Sequence, residues 1–286
     1  MKDLHLTLSD YQKLKEIGHG TDGKVLRYNF NTLVKAYHES MYYIENRDRI
    51  LSLEDKVFDK DSFKIHNKKN TTNYFLNDED GLLRIPSEFA IEKAIELNST
   101  VKRTDLPIGK LYVDNRFVGC VLKKEHGIQL HKLSGLPVEI KKKILINLLS
   151  DIEELLLNNI YHIDLNNSPY ITNVTFNYAN QSQIKEQGHS HILVNPFTLK
   201  TNLIDLDGKS TIYTEKRNYK FERRVLQDLC TLIMEFLYNI DNYSELEYDE
   251  LIEQITSNGF RLDDISPIIN GDIMYCDDLR LLLKKD

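Results

Sequence analysis

The fold class of this chain can be inferred from one run, Ile17-Gly18-His19-Gly20-Thr21-Asp22-Gly23-Lys24-Val25. Gly18, Gly20, Gly23 and Val25 fit the spacing G-x-G-x-x-G-x-V, and a later apolar run ends in Lys35. Glycines lack side chains, so a turn built from them can lie close over phosphate groups. A lysine on the neighbouring strand can then reach the α- and β-phosphates of a nucleotide. The pattern predicts a phosphate-binding loop with a lysine behind it.

The same glycine spacing also occurs in dinucleotide-binding oxidoreductases, where the glycines open a helix. In this chain the residues after the glycines, 24–28, are typical of a strand, and residues 29–32 form a turn to a second strand. The order is therefore strand, glycine turn, strand, turn and a strand that carries Lys35. This order disfavours the oxidoreductase interpretation, because no helix follows the glycines.

The composition is that of a soluble globular protein. The chain has 286 residues, of which 41% are hydrophobic and 28% charged, enough for one large or two modest domains. A net charge of −7 argues against a nucleic-acid partner. Cys120, Cys230 and Cys276 lie far apart, which predicts reduced thiols in a cytoplasmic protein. No apolar run approaches ~18 residues, so no membrane partner is expected.

The remaining pattern predicts strands first and helices later. Three strands are expected within residues 12–37, a helix over 87–99, strands over 108–113 and 117–122, a long helix over 138–158, strands over 191–195 and 201–205, and a helix over 221–238. Residues 38–84 are less regular and include a candidate helix near 40–53. The chain therefore divides into a β-rich first part and a helix-rich second part.

Two further motifs follow the glycine loop in order. His162-Ile163-Asp164-Leu165 comes after the long helix, and Leu203-Ile204-Asp205-Leu206-Asp207-Gly208 comes after a strand. Together with the glycine loop and Lys35, these motifs resemble the protein-kinase-like superfamily, over roughly residues 12–240. The resemblance implies an α+β, bilobal protein-kinase-like fold. Its N-lobe, residues 1–122 with an insertion at about 38–84, would be a five-stranded antiparallel sheet with one main helix. Its C-lobe, residues 125–286, would be mainly helical.

The resemblance also implies ATP and Mg²⁺ as cofactors and a role for each matching residue. Gly18, Gly20, Gly23 and Val25 would hold the phosphates, Lys35 and Glu92 would position them, Asp164 would orient the acceptor hydroxyl, and Asp205 would bind magnesium. Glu88 and Glu96 remain alternatives to Glu92, because they lie near the same helix face. Asp207 replaces the glycine of the usual D-F-G segment, either as a second metal ligand or as a turn former. Asp228 would be structural.

The second metal ligand departs from the family pattern. The family places an asparagine five residues after the catalytic aspartate, and Pro169 stands there in this chain. Asn173 precedes an apolar segment and is the preferred ligand, with Asn166, Asn167 and His191 as alternatives. The long spacing between Asp164 and Asp205 predicts an insertion over about 166–190.

The resemblance implies an atypical bacterial-type kinase or a kinase-like phosphotransferase that moves the γ-phosphate of ATP to a hydroxyl. Only 23 residues separate Asp205 from Asp228, a short segment similar to that of aminoglycoside and choline kinases. The acceptor is either a protein or a small molecule, which the sequence does not decide. A pseudokinase that binds nucleotide as a regulatory module is the alternative, favoured by the missing asparagine. The joint presence of Lys35, Asp164 and Asp205 argues for the enzyme.

Overall fold

A computed structural model provides the fold. It describes residues 3–19, 23–37, 91–162, 165, 191–207, 211–240, 243 and 246–285, together with the backbone alone of residues 75–78, 81–84, 88–90, 174–177 and 182–185. The helix predicted near residues 40–53 lies outside the described residues. The described chain forms two compact units. The first comprises Met1–Glu125, Asn158–Ile160 and Asp205–Glu215, and the second comprises His126–Leu157, Tyr161–Ile204 and Lys216–Asp286.

Strands predominate in the first part of the chain and helices in the second, as the sequence predicts. The strands are β1 (Leu4–Leu6), β2 (Lys15–His19), β3 (Gly23–Arg27), β4 (Thr32–Tyr37), β5 (Phe75–Asp78), β6 (Gly81–Arg84), β7 (Gly109–Val113), β8 (Arg116–Lys123), β9 (Ile128–Gln129), β10 (Ile160–His162), β11 (Val174–Asn177), β12 (Ser182–Lys185), β13 (Ile192–Val194), β14 (Thr201–Leu203) and β15 (Thr211–Tyr213). The helices are α1 (Leu8–Gln12), α2 (Glu88–Leu97), α3 (Val138–Leu157), α4 (Tyr219–Phe236), α5 (Tyr248–Ser257), α6 (Leu262–Ile269) and α7 (Cys276–Leu283).

The first unit is built on a six-stranded sheet with the order β1-β7-β8-β4-β3-β2. All neighbouring strands are antiparallel except β1, which pairs in parallel with β7. One face of the sheet packs Val34, Ala36 and Val121 against Tyr11 of α1 and the apolar residues around it. The opposite face packs Tyr37, Phe117 and Cys120 against Ile91 of α2. The sheet therefore has an apolar layer on each side, as its alternating strand residues require.

The hairpin between β7 and β8 has a two-residue loop. Asp114 and Asn115 both have positive φ, at 47° and 62°. Such a loop matches the right-handed twist of its strands, and Asp and Asn tolerate the left-handed region better than most residues. The local sequence therefore specifies both the turn and the register of these strands.

The second unit is mainly helical and centres on α3. One side of this helix is fully buried and packs against β14 and α7; it consists of Ile144, Leu145, Leu148, Leu149, Ile152 and Leu155. Strands β14, β13 and β9 form a small antiparallel sheet beside it. The helix α4 begins after Asn218, whose side chain accepts hydrogen bonds from the backbone N–H groups of Lys220 and Phe221.

The α+β fold class, with an antiparallel-rich sheet before a mainly helical region, is confirmed. The sheet has one strand more than the five predicted. That strand, β1, has only three residues, too few for alternation to be recognised in the sequence. No described helix is both long enough and apolar enough to cross a membrane.

Candidate functional site

Three of the predicted nucleotide residues, Gly18, Val25 and Lys35, lie in one row across the sheet. Gly18 is opposite Val25, Val25 is opposite Lys35, and Lys35 is opposite Cys120. Residues directly opposite one another in neighbouring strands point to the same face of a sheet. The row continues from Cys120 to Lys110 on β7. Gly18, Val25 and Lys35 therefore share the face that α2 partly covers.

The glycines of this sheet have different reasons to lack a side chain. A Cβ on Gly18 would lie 3.8 Å from the Cβ of Val25, which is an ordinary contact. A Cβ on Gly23 would lie 2.3 Å from the carbonyl oxygen of Ala36, so packing against β4 requires a glycine there. Gly20 lies outside the described residues. Of the two described loop glycines, Gly18 is therefore the one that packing leaves open to a ligand-binding role.

The Lys35 ammonium is held between two carboxylates. Its Nζ donates a hydrogen bond to Asp205 Oδ1 at 2.9 Å and lies 3.0 Å from Asp207 Oδ2. The Lys35 side chain is only 7% exposed. Burial lowers the pKa of Lys35, but the charges of Asp205 and Asp207 outweigh burial and keep the pKa above its ordinary value. Lys35 is therefore a buried cation at neutral pH.

The two carboxylates differ in their access to solvent. The Asp205 side chain is 28% exposed, and that of Asp207 is 1% exposed. The ion pair with Lys35 compensates the buried charge of Asp207. Asp205 keeps access for an additional ligand, such as a divalent cation that binds carboxylate oxygen.

Three buried hydroxyl groups fix the turn that carries these carboxylates. Tyr37 donates to the carbonyl of Asp207 at 3.4 Å, Tyr213 to that of Leu206 at 2.6 Å, and Thr211 to that of Asp205 at 3.2 Å. Each of three consecutive carbonyls in residues 205–207 therefore receives a side-chain hydroxyl. Asp205 has a positive φ of 64°, a conformation that costs of order 1 kcal/mol for a residue other than glycine. The hydroxyl contacts hold it there.

The predicted pair of Lys35 and Glu92 is not found among the described side chains. Glu92 Oε1 instead accepts from Lys110 Nζ at 2.8 Å, and the Glu92 side chain is 48% exposed. The reason is the position of α2, which packs against β7 and β8. Lys110 is two strands away from Lys35, about 10 Å across the sheet. The alternative Glu96 accepts from Lys93 at 2.8 Å, and the Glu88 side chain is not described.

Several predicted residues cannot be compared with the structure. Asp164 and Asn173 lie outside the described residues, as do the alternatives Asn166 and Asn167. His191 is described: its carbonyl accepts from the backbone N–H of Ile204 at 2.8 Å, and its ring lies 5.7 Å from that of His162. In the described chain no cluster of three or more metal-binding side chains occurs. The roles of Asp164 and Asn173 stay predictions.

Sequence reasoning missed the groups that support the site. Gly119 is one of them, since a Cβ there would lie 1.9 Å from the carbonyl oxygen of Lys35. The hydroxyls of Tyr37, Thr211 and Tyr213 are the others. A glycine in the middle of a strand was a signal for close backbone approach. Nothing in the sequence marks the three hydroxyl residues, because their partners are backbone carbonyls brought together by the fold.

No family model matches the chain, and no curated protein is significantly similar to it. Among solved structures, the chain is similar to the kinase PK-1 of the Cydia pomonella granulovirus. The two are 10% identical, the match covers 92% of this chain and 81% of the viral one, and the TM-score is 0.47.

Proposed function

We propose that this chain is a kinase-like phosphotransferase that moves the γ-phosphoryl group of ATP to a hydroxyl of a protein or small molecule. One observation carries the proposal. Lys35 and Asp205, separated by 170 residues in the sequence, meet at 2.9 Å on the sheet face that also bears Gly18 and Val25. Phosphoryl transfer needs a cation for the phosphates and a carboxylate for the metal in one place.

The side chains present fit ATP and Mg²⁺. The packing around Gly18 leaves room at the strand for phosphate, and Lys35 supplies a permanent positive charge. Asp205 offers carboxylate oxygens with access to solvent, the ligand type that magnesium prefers. Bound magnesium would neutralise charge on the β- and γ-phosphates. Asp164, in the motif after α3, is proposed to orient the acceptor hydroxyl, and Asn173 is proposed as the second metal ligand.

The first test is nucleotide binding by the purified protein. ATP with Mg²⁺ is expected to raise the melting temperature, because a ligand at a hundred times its Kd adds about 2.7 kcal/mol to stability. Lys35→Met should remove most of this shift. Lys24→Met is the matched control, since Lys24 is a strand lysine whose ammonium lies over the Tyr11 ring rather than in the site. No shift in the wild-type protein at millimolar ATP would contradict the proposal.

A pseudokinase is the second candidate, favoured by Pro169 at the position where the family resemblance expects an asparagine. Transfer of labelled phosphate, to the protein itself or to candidate acceptors, separates the two. Asp164→Asn should abolish transfer and leave ATP binding nearly intact. A wild-type protein that binds ATP and yields no phosphorylated product or ADP would favour the pseudokinase.

A further inference from the structure

We propose that Asp207 is the permanent counter-ion that positions Lys35, and that this arrangement leaves Asp205 able to exchange Lys35 for a magnesium ion. The family resemblance implies that Lys35 pairs with Glu92 of α2. In the structure, Glu92 instead accepts a hydrogen bond from Lys110. Asp207 stands where the family pattern has a glycine. The magnesium part of this inference rests on the proposed function, while the pairing of Lys35 with Asp207 does not.

Burial separates the roles of the two aspartates. Both have an oxygen within 3.0 Å of Lys35 Nζ, but the side chain of Asp207 is 1% exposed and that of Asp205 is 28% exposed. An incoming hydrated cation can reach Asp205 and has no comparable access to Asp207. If magnesium draws Asp205 away, Lys35 keeps one carboxylate and does not become an uncompensated buried charge, which would be costly.

Hydrogen bonds to the backbone hold Asp207 in a fixed position. The Tyr37 hydroxyl contacts the Asp207 carbonyl, and Tyr213 holds the preceding carbonyl of Leu206. Tyr37 lies two residues after Lys35 on β4, so the same strand carries the lysine and a hydroxyl that is hydrogen-bonded to the backbone of Asp207. Asp207 is therefore held in place relative to Lys35 by contacts that do not involve a nucleotide.

A double-mutant cycle on the nucleotide-free protein tests the pairing. Asp207→Asn should lower the free energy of unfolding in the wild-type background, because Lys35 loses a buried partner. In the Lys35→Met background the same change should raise stability, because it removes a buried carboxylate that has lost its cation. The control is Asp105→Asn, which removes a carboxylate bound to Lys123 in the same unit and should have the same effect in both backgrounds.

Equal effects of Asp207→Asn in both backgrounds would overturn the proposed pairing. If the Asp207→Asn protein does not fold, a folded Lys35→Met/Asp207→Asn protein supports the pairing, and an unfolded one contradicts it. A double-mutant cycle between Lys35 and Glu92 should give a much smaller coupling free energy. A coupling as large as that between Lys35 and Asp207 would contradict the proposal, because Glu92 would then be the partner of Lys35. None of these readouts depends on ATP.

The proposed exchange of Lys35 for magnesium at Asp205 has its own test. The measured quantity is the magnesium concentration at the midpoint of ATP-dependent thermal stabilisation. In Asp207→Asn, Lys35 must compete with magnesium for Asp205, so the midpoint should rise about tenfold, equivalent to about 1.4 kcal/mol. A purely structural defect would lower the melting temperature and leave this midpoint unchanged, which would overturn the exchange. If the wild-type protein binds no ATP, the proposed function and the exchange both fail, and the double-mutant cycle still decides the pairing.

Discussion

Gly18 and Gly119 show how two glycines on one sheet serve different ends. The Cβ position of Gly18 meets only the Val25 side chain at 3.8 Å, whereas that of Gly119 would overlap the Lys35 carbonyl oxygen at 1.9 Å. Backbone cannot move aside as a flexible side chain can. Gly119 therefore sets how closely β8 approaches the strand that carries Lys35, and Gly18 is available for contact with a ligand.

Substitution by alanine should separate these two roles. Gly119→Ala is expected to cost about 1–3 kcal/mol of unfolding free energy or more, because β4 and β8 must move apart. Gly18→Ala should leave stability nearly unchanged and weaken ATP binding, because the added methyl group would meet phosphate. Urea denaturation and ATP titration of both proteins measure the two effects. Normal ATP affinity in Gly18→Ala would contradict a phosphate-binding role for this glycine.

At the scale of single residues, the sequence singled out Lys35 and Asp205 as candidate site residues, because their spacing from glycines and strands is distinctive. The structure brings their side chains into contact. It could not predict which carboxylate Lys35 would meet. Glu88, Glu92 and Glu96 are equivalent in a helical pattern, and their partners depend on which strand the helix crosses. Asp207 was recognised only as a departure from the D-F-G pattern, since its burial follows from packing.

Strand β15 and the turn over residues 205–207 act together as one element. Two of the three hydroxyls that hold the turn come from β15, and α2 packs against the same strand. The sequence predicted a strand over 201–205, before this turn, because this run follows a Pro-containing turn and carries Leu203 and Ile204. It gave no sign of β15, which has three residues and acquires its role from backbone contacts.

Removal of one hydroxyl should loosen the turn. Tyr213→Phe leaves the buried carbonyl of Leu206 without its hydrogen bond, which is expected to cost about 1–3 kcal/mol of unfolding free energy. The magnesium midpoint for ATP-dependent stabilisation should also rise, because Asp205 loses its fixed position. Tyr219→Phe is the control, since the Tyr219 side chain is largely exposed. A wild-type melting temperature in Tyr213→Phe would show that the turn does not need this bond.

For the molecule as a whole, buried thiols make stability depend on pH. The cysteines of the described chain are free, and Cys120 and Cys276 are buried. Burial raises the pKa of Cys276 to about 12, and burial with the charge of Asp207 raises the pKa of Cys120 above its ordinary value. Thiols in an unfolded chain titrate near pH ~8.5. Above that pH the folded protein therefore keeps protons that the unfolded chain releases.

The free energy of unfolding should consequently fall as the pH rises above about 8.5, by up to about 1.4 kcal/mol per pH unit for each of these thiols. Below pH ~8.5 both states hold the protons, and the thiols make no pH-dependent contribution. Urea denaturation under reducing conditions from neutral pH to about pH 10 measures the slope. The variant Cys120→Ala/Cys276→Ala should have a flatter profile, and an unchanged slope would assign the effect to other groups.

The order in which the chain is synthesised gives the Lys35–Asp205 contact a further consequence. A ribosome adds about 5–20 residues per second, so the 170 residues between them take roughly 10–30 s to make. Throughout that interval β4 carries Lys35, while its two counter-ions, Asp205 and Asp207, have not yet been synthesised. The N-terminal sheet is thus translated early and completed late. Its final packing must wait for Asp205 and Asp207.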